Sequence, residues 1–146
     1  MMKKIFIAGV LLFILHIAVA CSQKELSYEQ KLDPRFPKPV HLHVSKPDGQ
    51  GYMIYKKIED NETVQTILDI FIHVPWENAK VSMLGQPDYK ITTVNADPTV
   101  SYEPVTYAIW LSPKKDILEV IIEGQSKFGR ISKEDAAKLL SILGSP

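Results

Sequence analysis

Cysteine is almost missing from this chain: Cys21 is the only one in 146 residues. No intramolecular disulfide can form, and thiol chemistry has no other position to work from. An excess of charge of one sign is missing too, with 17 basic and 17 acidic residues. A nucleic-acid surface needs a concentrated basic face, and this balance does not provide one. Glycine is sparse at seven residues, and no Gly-rich loop of the phosphate-cradling kind occurs. His-Glu-x-x-His and Gly-x-Ser-x-Gly are absent, so neither zinc-protease nor hydrolase-elbow chemistry has a local signature. A Ser-His-Asp set assembled in space leaves no such signature and stays open.

What is present begins at the N-terminus. Lys3 and Lys4 precede an apolar run from Ile5 to Ala20, interrupted only by Gly9 and His16. A helix needs roughly 20 apolar residues to cross a bilayer core, more than this run supplies. It slightly exceeds the usual hydrophobic region of an export signal, and the two lysines suit the cytosolic side. The closing Ala18-Val19-Ala20-Cys21 resembles the lipobox of bacterial lipoproteins, with Ala18 where Leu is commoner. That resemblance implies a diacylglyceryl group (palmitate-type chains) on the Cys21 sulfur, and cleavage that makes Cys21 the new N-terminus. Two or more acyl chains anchor a protein effectively permanently, whereas one does not. A plain secretory signal ending beside a cysteine, or a retained membrane helix, is the alternative.

The expected organisation is a lipoprotein signal peptide over 1–20, a lipidated cysteine with a Pro-rich tether over 21–39, and one domain over 40–146. The leader carries two of the basic residues and no acidic one, which leaves 15 basic against 17 acidic and a net charge of −2. Asp33-Pro34-Arg35-Phe36-Pro37-Lys38-Pro39 holds three prolines, each removing a backbone donor and biasing its predecessor toward extended shapes. This stretch reads as a semi-rigid spacer, with Phe36 available to dock on the domain.

Periodicity then sets the elements. Val40-His41-Leu42-His43-Val44 alternates as a half-buried strand does, with the valines and Leu42 on one face and both histidines on the other. Pro47-Asp48-Gly49 signals a turn, and Tyr52 to Ile58 a second strand. Glu59-Asp60-Asn61-Glu62 reads as a capped helix start, followed by Val64, Ile67, Leu68 and Phe71 on one face and widened by Ile70 and Ile72. Pro75 ends that helix, and Trp76 to Gln86 has no clean period and reads as a loop. Tyr89 to Val94 is β-branched and strand-like. Val105 to Leu111 is the strongest strand, with Val105, Tyr107, Ile109 and Leu111 on one face and Thr106, Ala108 and Trp110 on the other. Ser112 to Asp116 turns the chain into Ile117 to Glu123, making an antiparallel hairpin. Lys127 to Ile131 adds a short strand. Ser132 caps a closing helix with Asp135 three residues on, a stripe of Ala136, Leu139, Leu140 and Leu143, and Gly144 as its stop. Strands clustered between two helices imply an α+β domain, a mostly antiparallel sheet of about five strands with both helices on one face.

Trp76-Glu77-Asn78-Ala79-Lys80-Val81, Pro87-Asp88-Tyr89-Lys90, Tyr107-Ala108-Ile109-Trp110 and the Ser132 helix resemble a small lipoprotein family of Bacillus-type bacteria, the YhfM-like domain. The resemblance spans about Val40 to Leu143 and implies a Gram-positive host, hence the outer face of the cell membrane. It brings no assigned activity or catalytic residue.

Three candidates for function remain. His41 and His43, two apart on a strand, point the same way, so both imidazoles could meet one metal ion. Zinc needs three or four protein ligands, and no third is identifiable, so two solvated or sheet-packed histidines are the default. His73, at the end of the first helix, suits a capping role at the negative dipole end. Trp76, Tyr89, Tyr102, Tyr107 and Trp110 cluster in the middle of the chain. Trp110, flanked by the short Thr106 and Ala108, suits a partner surface if its sheet face is open; cover by the loop from Trp76 to Gln86 is the other reading. The function expected is a lipid-anchored extracytoplasmic binding module without cofactor or nucleic acid, docking an envelope or membrane protein. A small metal-dependent hydrolase using His41 and His43 is the rival.

Overall fold

The structure, a computed structural model, describes residues 40–99, 101, 103–114 and 116–144. The leader, Cys21, the tether and Tyr102 lie outside the described residues. Six strands and two helices follow in the order β1 Val40–Asp48, β2 Gly51–Ile58, α1 Asn61–Ile72, β3 Tyr89–Asn95, β4 Thr106–Leu111, β5 Leu118–Ile122, β6 Lys127–Ile131 and α2 Lys133–Leu143. One antiparallel sheet runs β2-β1-β3-β4-β5-β6, so the fold is α+β as expected, with six strands rather than five. β2 and β3 both run antiparallel to β1 and so parallel to each other. A hairpin cannot join them, and α1 serves as the crossover.

One sheet face and both helices share a core. Val40, Leu42 and Val44 meet Ile91, Tyr107, Ile109, Leu118, Val120 and Ile122 from the sheet, and Val64, Ile67, Leu68, Phe71, Ala136, Leu139 and Leu143 from the helices. The Phe71 ring stacks on Tyr107 with centroids 3.9 Å apart. Among the described residues this core runs from Val40 to Leu143 and draws on the sheet and both helices. Among the described residues no helix is long and apolar enough to cross a membrane.

The helix ends obey their local chemistry. Asp60 Oδ1 accepts from the Thr63 N–H at 2.9 Å, and Ser132 Oγ from the Asp135 N–H at 3.2 Å, each filling an orphan donor of a first turn. The capping hydrogen bond holds the Asp60 carboxyl below the usual range. α1 stops at Ile72 with His73 as its cap, before the proline is reached. Of the two isoleucines expected to widen the apolar face, Ile70 is buried on the flank beside Ser132 and Asp135, whereas Ile72 on the other flank is exposed.

Two departures come from strand pairing. β1 runs on to Asp48, through the stretch whose Pro47 signalled a turn. Its ladder with β3 ends at Ser45, so beyond that point it pairs with β2 alone and a proline costs no ladder bond on its open side. In β2, Val44 pairs with Lys56 and Ser45 with Ile54, which leaves Tyr55 as a bulge. The bulge brings consecutive residues to the same end of α2: Tyr55 Oη donates to the Leu143 carbonyl at 3.0 Å and Lys56 Nζ to that of Ile142. Burial, and secondarily Tyr89, pushes the Tyr55 phenol up to about 12.

Candidate functional site

Register decides what lies on the sheet face away from the helices. Opposite pairs share a face, so His41, His43, Lys90, Thr92, Thr106, Ala108, Trp110, Glu119, Ile121, Phe128 and Arg130 all point outward. Ala108 and Phe128 are nevertheless buried, at 1% and 7% exposure, and neither belongs to the helix-side core. Something covers this face.

The cover is the segment between α1 and β3, which has no helical or strand period of its own. Its start is fixed at the β6 edge, where Glu77 N–H donates to the Phe128 carbonyl at 2.8 Å and Phe128 N–H returns the bond at 3.1 Å. Lys127 Nζ donates to Asn78 Oδ1 at 2.6 Å. Its far end is tied three times. Trp110 Nε1 donates to the Gly85 carbonyl at 3.3 Å, Tyr52 Oη to the Pro87 carbonyl at 2.9 Å, and the Leu111 N–H to Asp88 Oδ2 at 2.8 Å. From β6 to β4 the chain must pass over β5, so it forms a strap across the outer face. Trp110 is half-buried beneath it.

The strap is pinned on both sides of Leu84, yet Leu84 itself is 99% exposed. It shares a cavity of about 420 Å³ with Met83 from the strap, Pro113 and Ile117 from the β4–β5 turn, and Trp110 and Leu111 from β4. Ser112, Glu119 and Arg130 supply its polar part. The nearby acids are engaged within the protein: Asp116 accepts from the Ser112 hydroxyl at 3.0 Å, and Glu119 pairs with Arg130 at 3.2 Å. Chemically this is an apolar groove with a small polar edge. Sequence reasoning missed Met83, Leu84, Pro113 and Ile117, because residues from two loops meet only through the strap's crossing.

The histidines sit elsewhere. His43 lies opposite Thr92 on β3 and Lys57 on β2, and His41 opposite Val94. Burial first, then the Lys57 ammonium, holds the His43 imidazole below its ordinary value. Among the described residues no group of three or more His, Cys, Asp or Glu is placed to hold a metal ion. His73 Nδ1 lies 2.7 Å from the Asp69 carbonyl at the end of α1, a local contact at the helix terminus. No protein family, curated protein or solved structure matches the chain.

Proposed function

We propose that this chain is a lipid-anchored extracytoplasmic lipoprotein, of the YhfM-like kind, whose domain works by binding a membrane or envelope protein through the strap groove. The observation that carries the binding reading is Leu84. A strap held by six tertiary hydrogen bonds presents a fully exposed leucine in the same groove as a tryptophan. Surface leucines scattered singly mean little, but this one shares a groove with Met83, Trp110, Pro113 and Ile117. Removing one such side chain from water on docking contributes about 1.5–3 kcal/mol. Because the strap is pinned at both ends, little ordering cost is left to subtract. The lipid anchor is supported by the lipobox-like Ala18-Val19-Ala20-Cys21 and the short apolar run before it.

The test is a photo-crosslinker at position 84 of the membrane-anchored protein in its own cells. A discrete protein adduct is expected, lost when Ile117→Asp spoils the groove's lining and absent from the Cys21→Ser chain released from the membrane. An adduct pattern indifferent to Ile117→Asp would contradict the groove. Stoichiometric zinc or copper in the purified domain, lost in His41→Ala, would replace this reading with a metal-dependent one.

A further inference from the structure

At the other end of the sheet, where β1 begins, lies a second cleft. Its volume is about 370 Å³, and among the described residues Thr92, Thr93, Val94, Asn95, Asp97, Pro98 and Pro104 line it. Most of that lining is apolar: Val94, the two proline rings and the threonine methyls. Val40 pairs directly with Asn95, so the chain enters the domain at the rim of this cleft. The ladder between β1 and β3 stops at that pair, because the chain bends at Ala96 and turns through Pro98 and Thr99. Phe36 is four residues from Val40, and an extended chain covers that span in roughly 13 Å.

We propose that this cleft is the docking site for the chain's own segment Asp33 to Pro39, with the Phe36 ring seated against Val94, Pro98 and Pro104. The stretch brings two cations, Arg35 and Lys38, and one aromatic ring to a mostly apolar cleft whose rim bears the Asp97 carboxylate. A docked segment shortens the free part of the tether to residues 21–32 and fixes the direction in which it leaves the domain. The inference does not depend on lipidation or on the strap groove.

The experiment uses the chain from residue 22 to 146, whose domain carries its own core. Trypsin can cut after Lys31 and after Arg35, whereas Pro39 blocks the bond after Lys38. With rates normalised to a peptide of residues 22–44, cutting after Arg35 is expected to be roughly tenfold or more slower than after Lys31, the bias that burial of one aromatic ring supplies. Phe36→Ala is expected to abolish the difference without changing thermal stability of the domain core. Nuclear Overhauser contacts from the Phe36 ring to Val94, Pro98 and Pro104 are expected at every protein concentration. Equal normalised rates, or no such contacts, would overturn the proposal. Contacts present only at high concentration would overturn it in favour of a second copy's segment.

Discussion

Replacing Gly129 by alanine tests how the strap is fixed. Gly129 lies in β6, and a Cβ there would stand 2.2 Å from Val74 Cγ1, 3.4 Å from Trp76 Cε3 and 3.6 Å from the Pro75 carbonyl oxygen. Carbon atoms in contact sit about 3.5–4.0 Å apart, so more than an ångström must be found. Val74 is buried and β-branched, and so cannot swing away cheaply. The backbone of 74–77 must move instead, and it carries both Glu77–Phe128 hydrogen bonds. Overpacking costs about 1–3 kcal/mol and each weakened bond up to about 1, so about 2–3 kcal/mol in all is expected. For a domain of this size that is a fall of roughly 10–15 °C in Tm. Val74→Ala alone leaves a hole and destabilises, but in the double variant the new methyl occupies that hole. Thermal unfolding of the four proteins should therefore show a favourable coupling of about 1–2 kcal/mol. A neutral Gly129→Ala, or strictly additive losses, would refute the packing argument.

Lys56→Met removes the cation that serves the last carbonyls of α2; a loss of about 1 kcal/mol is expected, with faster hydrogen exchange in the final turn of α2, and unchanged exchange there would contradict it. His43 is held below its ordinary pKa, so the folded state binds its proton less tightly than the unfolded chain does. Its contribution is present above the ordinary imidazole value and is lost as pH falls through the folded value. Urea midpoints should drop across that window in the parent and drop less in His43→Gln; parallel curves would refute the assignment. Tyr55, raised to about 12, has the opposite sign: its contribution is intact below the ordinary phenol value and is lost as pH rises through the folded one. Burial raises Tyr52 and Tyr89 as well, so alkaline titration by phenolate absorbance should show one fewer late-titrating group in Tyr55→Phe than in the parent; an unchanged number would refute the assignment.

Alternation and helical spacing carried most of the fold. Val40, Leu42 and Val44 lie inward, as do Tyr107 and Ile109 and then Leu118, Val120 and Ile122, because period two leaves a sheet face no other choice. The caps at Asp60 and Ser132 were legible for the same local reason. What escaped depends on tertiary neighbours. The bulge at Tyr55 is set by pairing with β1, and the survival of β1 through Pro47 depends on β3 having ended. The need for Gly129 depends on Val74, 55 residues earlier. The groove was the least legible feature. Trp110 and its short neighbours could be placed on the outer face, and cover by the loop from Trp76 to Gln86 was one of two readings, but nothing periodic in that loop fixes its path or the exposure of Leu84.

The proposed function rests on anchoring of the domain through Cys21. Intact-mass analysis of the protein isolated from its own cells tests this most directly. A chain beginning at Cys21 and carrying a thioether-linked diacylglyceryl group is the predicted result. A retained leader, or a mature chain starting with an unmodified cysteine, would contradict it.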